Sequence, residues 1–342
     1  MLSKEVLNKI VKVNQSLISV IVPVYNVQEY IEKCVRSLFE QTYSNIEYIF
    51  VDDCGQDHSM EVLHSLIKEY PERESRVLVL THLENKGLPA ARNTGLRAAS
   101  GDYIYHCDSD DWTDKELLQL LIERAEEVDA DVVFCDLYNV SGNDMSVYHQ
   151  SKKENYVEYL KDFFIGYSQG SVCNKIFKRA LFTDNGITFP EGYPMLEDLR
   201  TVVQLYYFAN KIEYIPRALY YYVKTRSSSV SGANYQKSKK ISEDRIENVK
   251  GIQNFLQKKK IQGIDCELGL LKLGAKQNLL INADSVKIFK QWIDIFPEAN
   301  QYVGKSTLPI YYKIIAWSAL KEIWIIPYMW IKVKNIKNNI SG

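Results

Sequence analysis

The 342-residue chain lacks the motifs that mark several common classes of protein. Its six cysteines show no Cys-x-x-Cys spacing, which favours free thiols in a reducing compartment over a disulfide scaffold. The five histidines are scattered along the chain, so a His-rich zinc site is not expected. A formal net charge of −1 argues against a protein that binds nucleic acid by bulk electrostatics.

Signals for secretion, membrane spanning and dinucleotide binding are also missing. The first fifteen residues contain no continuous apolar region, so no secretory signal is predicted. The apolar stretch at 308–331 is interrupted by Lys313, Lys321 and Glu322, which makes it too broken for a spanning helix. No G-x-G-x-x-G follows the first apolar run, so a Rossmann dinucleotide site is not supported. We therefore predict a cytoplasmic protein.

The chain does contain a regular alternation of two kinds of segment. After a predicted lead-in helix at 3–13, apolar runs rich in β-branched residues alternate with amphipathic stretches. This alternation predicts an α/β fold with a doubly wound, mostly parallel sheet. The polar composition at 139–154 predicts a loop or a subdomain boundary. We place strands at 17–24, 46–51, 76–80, 102–107, 130–135, 212–215 and 219–223.

The stretch GDYIYHCDSDDW, at 101–112, carries the strongest chemical signal. A predicted strand ends there in Asp108, Asp110 and Asp111, and the carboxyl edge of an open α/β sheet is where ligands bind. Three carboxylates this close repel one another unless a cation or hydrogen-bond donors neutralise them. Hard oxygen ligands suit Mg²⁺ or Mn²⁺. The alternative is that the acidic run merely caps the next helix.

Several motifs fall at the same predicted edge, in a fixed order. They are VIVPVYN, SLFEQTY, VDD, NKGLPAARNTG, ASGDYI, DSDDW and a later LED. Over roughly residues 17–230 the chain resembles the family 2 glycosyltransferases of the bacterial polysaccharide type. The resemblance implies the GT-A fold, which has a Rossmann-like, mostly parallel central sheet with flanking helices, here followed by a helical C-terminal extension. The implied domains are a GT-A domain (1–235, with a donor half at about 17–138 and an acceptor half at about 150–235) and a helical region (236–342).

The resemblance also implies a reaction and a donor site. It implies inverting transfer of a sugar from a nucleotide sugar, of the UDP type, to a hydroxyl group of a glycan or lipid-linked acceptor in surface polysaccharide synthesis. Asp53 resembles the family residue that accepts a hydrogen bond from uracil N3–H. For Lys86 and Arg92 the alternative is a solvent-facing charge. The donor-nucleotide contacts implied in full are Pro23, Tyr25, Asn26, Asp53, Lys86, Arg92, Asp108, Ser109 and Arg226.

Metal and catalytic roles follow from the same resemblance. Asp108 and Asp110 match the family D-x-D, which implies a Mn²⁺ or Mg²⁺ ion bridging the diphosphate. Asp198 matches the base that takes the proton from the acceptor hydroxyl, with Glu197 beside it contacting a sugar; the alternative is an acid pair that stabilises a helix start. The remaining acceptor or sugar contacts are assigned to Asp111 and Trp112, although Trp112 also suits a core position.

Two departures from the family pattern stand out. The turn after Asp53 contains Cys54, where many relatives have Gly. Where many relatives have a late histidine, this chain has Lys224 and then Arg226. A histidine ligand is therefore not expected, and Arg226 is predicted to close over the diphosphate instead.

The tail differs from the rest of the chain. Residues 305–342 contain six lysines and one glutamate, for a charge of +5, and three tryptophans lie within 308–331. This composition is typical of an interfacial helix on an anionic membrane. The alternative is a helix packed against the body or a partner subunit. The prediction is thus a cytoplasmic enzyme peripheral to the inner face of the plasma membrane, with a homo-oligomer left open and no nucleic-acid partner.

Two other functions compete with transfer. In a Mg²⁺-dependent phosphohydrolase, Asp108 and Asp110 would be nucleophile and acid. That fold usually places its D-x-D after the first strand, whereas three predicted strands precede it here. The other alternative is a catalytically silent nucleotide-sugar-binding module.

Overall fold

The structure, a computed structural model, describes residues 15–224 and 239–341. The predicted lead-in helix at 3–13 lies outside these residues, as do Arg226 and the predicted domain boundary at 235. Contacts divide the described chain into two compact units. The first contains residues 15–152, 170–194 and 201–224, and the second contains residues 153–169, 195–200 and 239–341.

Four parallel strands form the first half of the sheet in the first unit. They are β1 (Ile18–Val24), β2 (Ile46–Asp52), β3 (Val77–Thr81) and β4 (Tyr103–His106). All residues of β1 and β4 are buried, as expected when helices cover both faces of a parallel sheet. The strand order is β3-β2-β1-β4, and every pairing among them is parallel, so their carboxyl ends share one edge.

Helices connect these strands, as the apolar spacing predicts. In α1 (Ile31–Phe39) the buried residues recur three or four positions apart, which makes one apolar face against the sheet. The others are α2 (Ser59–Glu69), the short α3 (Pro71–Glu74), α4 (Leu88–Ala98) and, after the two-residue β5 (Trp112–Thr113), α5 (Leu117–Val128).

The second half of the sheet is mixed. The strand predicted at 130–135 is the longer β6 (Val132–Ser141), and it does not pair with β4. Instead β8 (Lys175–Lys178) lies between them, antiparallel to both. β6 is parallel to β9 (Ile212–Val223), and β9 is antiparallel to β5. The α/β class is confirmed.

Two local predictions in this half need correction. The polar stretch at 139–154 was predicted to be a loop or a subdomain boundary, and a boundary between the two units does fall within it, after Lys152. Its first part is not a loop, because β6 continues to Ser141 and forms a hairpin with the exposed β7 (Asp144–Tyr148), and an exposed strand tolerates polar residues. The two strands predicted at 212–223 are one strand. The pairing register between β6 and β9 shifts around Pro216, and proline, which has no N–H to donate, is tolerated at such a bulge.

The second unit is helical, and it contains the predicted helical C-terminal region. Within 15–224 and 239–341, no helix is long and apolar enough to cross a membrane. The helices are α6 (Tyr156–Ile165), α9 (Lys239–Lys258), α10 (Asp265–Ile281), α11 (Val286–Asp294), a 3-10 helix (Pro297–Lys305), α12 (Ile310–Leu320) and α13 (Ile325–Ser341). Two further helices are α7 (Arg179–Thr183) in the first unit and α8 (Glu197–Phe208), which begins in the second.

Candidate active site

Hydrogen bonds join the loops after β1 and β2 at the carboxyl edge of the sheet. Asn26 Oδ1 accepts a hydrogen bond from the Gln56 amide (2.7 Å), and the Val27 amide donates to Ser59 Oγ (2.9 Å). Asn26 has a φ of +49°, a conformation that Asn tolerates better than most residues. Pro23 is buried within β1, whereas Tyr25 is 42% exposed. The PVYN motif thus presents the Tyr25 ring on a fixed turn.

Asp53, directly after β2, organises the next loop. Its Oδ1 atom lies 2.6 Å from His82 Nδ1 and accepts from the Lys86 amide (2.9 Å), and Oδ2 accepts from the Gly87 amide (2.7 Å). Asp53 is 2% exposed. Gly87 has a φ of +85°, which favours glycine because it has no Cβ. Asp53 and Lys86 therefore meet through the Lys86 backbone, and the Lys86 side chain is exposed.

Arg92 lies in the first turns of α4 and is buried, with 1% exposure. Its guanidinium donates to Asp108 Oδ1 (2.8 Å), and it lies 5.4 Å from the centre of the Phe189 ring. The Asp108 side chain is 23% exposed. Arg92 is therefore not a solvent-facing charge. It places a cation beneath the acidic loop.

The acidic loop after β4 separates its carboxylates. Asp111 is 1% exposed and accepts from the Tyr220 hydroxyl (2.5 Å) and the Val223 amide (2.7 Å). Burial and the nearby charges of Asp110 and Asp108 raise the pKa of Asp111 well above its ordinary value. Asp110 is half-buried.

The contacts of Asp111 join the acidic loop to β9, and its burial gives no support to the predicted sugar contact. Ser109, predicted to contact the donor, is also buried, with 6% exposure. Asp108 and Asp110 are the partly exposed carboxylates of the loop.

Trp112 lies in a column of rings. It stacks on Tyr221 with 5.2 Å between centroids, and Tyr221 stacks on Tyr138 at 4.7 Å. Lys33 Nζ lies 3.0 Å from the centre of the Trp112 ring. Tyr221 and Lys33 both contact the Trp112 indole, so a sugar would have to bind the ring beside them. The sugar contact of Trp112 stays a prediction.

The acidic pair Glu197–Asp198 begins α8, in the second unit. Glu197 is 6% exposed, and Asp198 is half-buried. The preceding residue, Leu196, has a φ of +67°, and the carbonyl of Met195 accepts from Asn248 Nδ2 (2.8 Å). A left-handed residue followed by a helix start thus fixes where the two acids lie in that unit. Their catalytic roles stay predictions, and Arg226 is not among the described residues.

Three residues at this edge escaped the sequence analysis. His82 contacts Asp53 through Nδ1 and Thr94 Oγ1 through Nε2 (2.9 Å). Its position one residue after β3 was the available signal. Asn93 accepts from the Phe189 amide (2.8 Å) and donates to the Phe189 carbonyl (2.9 Å), and its place beside Arg92 in a shared motif could have identified it. Tyr220, in β9, had no local signal.

The donor atoms of the acidic loop suit a hard divalent cation. In the described part of the chain, no group of three or more His, Cys, Asp or Glu could hold a metal ion. Mg²⁺, however, commonly binds through one or two carboxylates together with substrate phosphates and water. Asp108 and Asp110 offer that donor set.

The chain is similar to several known proteins. Residues 19–185 match the family described as glycosyl transferase family 2. The chain is 35% identical over 235 residues to the glycosyltransferase GlyG of Streptococcus pneumoniae (65% of this chain, 75% of GlyG). It is 34% identical over 223 residues to the glycosyltransferase EpsJ of Bacillus subtilis. That alignment covers 62% of each chain, so the match spans less than two thirds of EpsJ.

Among solved structures, the chain is similar to TarS residues 1–349 of S. aureus in complex with UDP-GlcNAc. The TM-score is 0.70 at 22% sequence identity, over 89% of this chain and 87% of that one. A likeness at this identity concerns the fold, and the fold is GT-A.

Proposed function

This chain belongs to glycosyl transferase family 2, and from that membership we propose that it transfers a sugar, with inversion, from a nucleotide-sugar donor to a hydroxyl group of a glycan or lipid-linked acceptor. The observation that carries the proposal is the sheet edge at which hydrogen bonds within the protein fix Asp53, Arg92 and Asp108. A UDP-sugar is the proposed donor, since the TarS structure of similar fold contains UDP-GlcNAc. Membership of a family of transferases argues against the phosphohydrolase alternative.

The donor nucleotide would lie across the loops after β1 and β2. The exposed Tyr25 ring offers the base an apolar surface. Asp53 uses three acceptor positions within the protein, and a carboxylate has about four, so one hydrogen bond from a base N–H can be added. Lys86, on the turn that Asp53 holds, is exposed and can reach a phosphate.

Asp108 and Asp110 would hold Mn²⁺ or Mg²⁺. When bound, such an ion supplies positive charge that stabilises a nucleoside diphosphate as it leaves. Arg92 orients Asp108 by donating a hydrogen bond to its Oδ1 atom. Asp111 holds the loop to β9 through Tyr220 and Val223.

Asp198 would take the proton from the acceptor hydroxyl. A carboxylate at a helix start is stabilised in its charged form, which suits a base that must be ionised before it accepts a proton. Glu197 would contact a sugar. We also place the enzyme in the cytoplasm at the inner face of the plasma membrane, where a lipid-linked acceptor for surface polysaccharide would lie.

One experiment tests the donor and the metal together. Thermal stability is measured with a panel of nucleotide sugars, with and without Mn²⁺, and transfer is assayed with the stabilising donor. We expect one UDP-sugar to raise the melting temperature only with metal. Asp110→Ala should abolish that rise, while Asp144→Asn, an exposed acid in β7, should not. A full rise for Asp110→Ala would overturn the metal assignment.

The base is tested by a matched pair of variants. Asp198→Asn should keep the donor-induced rise and lose transfer, because only the proton acceptor is removed. Asp265→Asn removes another acid at a helix start of the same unit, in α10, and should transfer normally. Normal transfer by Asp198→Asn would show that another group is the base.

A further inference from the structure

Two helices at the end of the second unit, α12 and α13, carry large apolar side chains in contact with solvent. In α12 the exposed residues recur at helical spacing, three or four positions apart, and the same holds in α13. Each is between 41% and 66% exposed. We define the C-terminal apolar face as Ile310, Ile314, Trp317, Ile325, Tyr328, Met329 and Val333.

The exposure is not a sign that the helices are unpacked. The opposite side of α12 buries Ile315, Ala316 and Ala319, and α13 buries Ile331. A surface helix normally has one apolar stripe and one polar face. These helices have an apolar stripe against their unit and a second one directed outward.

The two helices contact each other through aromatic rings that lie beside these stripes. Tyr311 of α12 is 49% exposed, and its ring centroid lies 6.0 Å from that of Trp330 in α13. Tyr312 contacts the same indole at 5.3 Å. The residues of the C-terminal apolar face therefore lie on two helices that pack against each other, and they are not scattered singly over the surface.

The segment that carries the C-terminal apolar face is rich in lysine. Residues 305–342 carry six lysines against one glutamate, a charge of +5 in a chain whose formal net charge is −1. Lys321 and Lys332 are exposed, and Lys332 Nζ lies 4.8 Å from the centre of the Tyr328 ring. The face thus combines aliphatic side chains, aromatic rings with a polar edge, and long cationic side chains.

We propose that the C-terminal apolar face binds the surface of an anionic lipid bilayer, with α12 and α13 lying along the interface. Tyr and Trp favour the headgroup level of a bilayer, and Lys can lay its aliphatic stem on apolar groups while its ammonium reaches anionic headgroups. A second copy of the chain is a poor occupant, because it would bring two faces of the same sign together. The inference rests on these helices alone and is independent of the proposed reaction.

The test uses the full chain and vesicles in a sedimentation assay. Wild type should sediment with vesicles of equal parts phosphatidylglycerol and phosphatidylcholine, sediment far less with phosphatidylcholine alone, and be released by salt. Ile314→Asp with Ile325→Asp should weaken binding at least tenfold. Lys321→Glu with Lys332→Glu should weaken it by a similar factor on anionic vesicles and change little on neutral ones.

Matched controls separate the face from general hydrophobicity and charge. Met145→Asp removes a side chain that is 57% exposed in β7, and Lys258→Glu with Lys287→Glu changes the same charge elsewhere in the second unit. Both controls should bind anionic vesicles as wild type does. If the aspartate pair unfolds the unit, Ile314→Ser with Ile325→Ser makes the same test more gently.

Three results would overturn the proposal. The first is that the wild type does not sediment with anionic vesicles. The second is that a control variant loses vesicle binding as fully as the variants of the C-terminal apolar face. The third is a wild-type dimer, measured by light scattering, that Ile314→Asp with Ile325→Asp converts to a monomer while vesicle binding is absent. That last result would assign the face to a second copy.

Discussion

Arg92 Nη2 donates to Asp108 Oδ1 across 2.8 Å, and the arginine is 1% exposed. The pair joins the first turns of α4 to the loop after β4. Asp110 and Asp111 follow Asp108 within three residues, so this guanidinium is the buried cation beneath an acidic loop. Removing this guanidinium should therefore lower the free energy of unfolding even in the absence of substrate.

Arg92→Met keeps much of the side-chain volume and removes the charge. We expect the free energy of unfolding to fall by about 2 to 4 kcal/mol, since a partly buried ion pair loses its cation. Mn²⁺ with UDP should restore part of it by supplying positive charge to the same carboxylates. Urea unfolding with and without these ligands measures both effects. Arg97→Met, an exposed change in the same helix, is the control, and equal losses in the two variants would contradict the prediction.

Asp53→Asn tests whether this carboxylate is structural as well as a contact for the base. The amide group would place a donor against the donors of Lys86, Gly87 or His82. We expect a loss of about 1 to 3 kcal/mol in the free energy of unfolding and faster hydrogen exchange at the Lys86 and Gly87 amides. Glu84→Gln, an exposed change in the same loop, should do neither. If UDP binding is lost while hydrogen exchange at these amides is unchanged, Asp53 contacts the nucleotide but does not stabilise the turn.

Local signals predicted much of the fold. Helix α6 (Tyr156–Ile165) has a local signal at each end, because Asn155 caps its start by accepting from the Glu158 amide and Gly166 ends it with a φ of +79°. Both signals lie within a few residues of the helix. The apolar runs of β1 and β4 were equally readable, since strands buried on both faces contain few polar residues.

Long-range pairing was not readable in the same way. Nothing within β8 indicates that it lies between β4 and β6, because strand order depends on contacts far apart in sequence. In the candidate site, too, local motifs identified some residues but not their distant partners. The motifs placed Asp53 and Asp108 at the sheet edge, but their partners His82 and Arg92 are 29 and 16 residues away. Tyr220 is 109 residues from Asp111, so no local pattern could pair them.

Tyr220→Phe tests the tie between the acidic loop and β9. The hydroxyl donates to Asp111 and accepts from the Asp108 amide at 3.4 Å. Its removal therefore takes one hydrogen bond from each of these two residues of the acidic loop. We expect a fall of about 1 to 2 kcal/mol in the free energy of unfolding, and a several-fold rise in the Mn²⁺ concentration needed for half-maximal transfer. Tyr221→Phe, which keeps the stack on Trp112, is the control. A stability loss with unchanged metal dependence would make Tyr220 a core residue alone.

Lys276, in α10, predicts a pH-dependent stability of the second unit. It is fully buried, and its Nζ lies within hydrogen-bond distance of the carbonyls of Trp292 (2.9 Å) and Ile295 (2.5 Å) and of Asn300 Oδ1 (2.6 Å). Burial lowers the pKa of Lys276 from 10.5 to about 7. Between these values the folded chain holds a neutral amine while the unfolded chain still binds the proton. Stability therefore rises with pH across that window.

The measurement compares wild type with Lys276→Met in urea at a series of pH values from 7 to 10.5. The methionine variant should be less stable by about 1 to 3 kcal/mol, because the carbonyls lose their donor. The gap between the two should widen with pH by up to about 1.4 kcal/mol per unit. Lys258→Met controls for loss of one exposed positive charge. Parallel curves for wild type and Lys276→Met would mean that the buried amine keeps its proton in the folded chain.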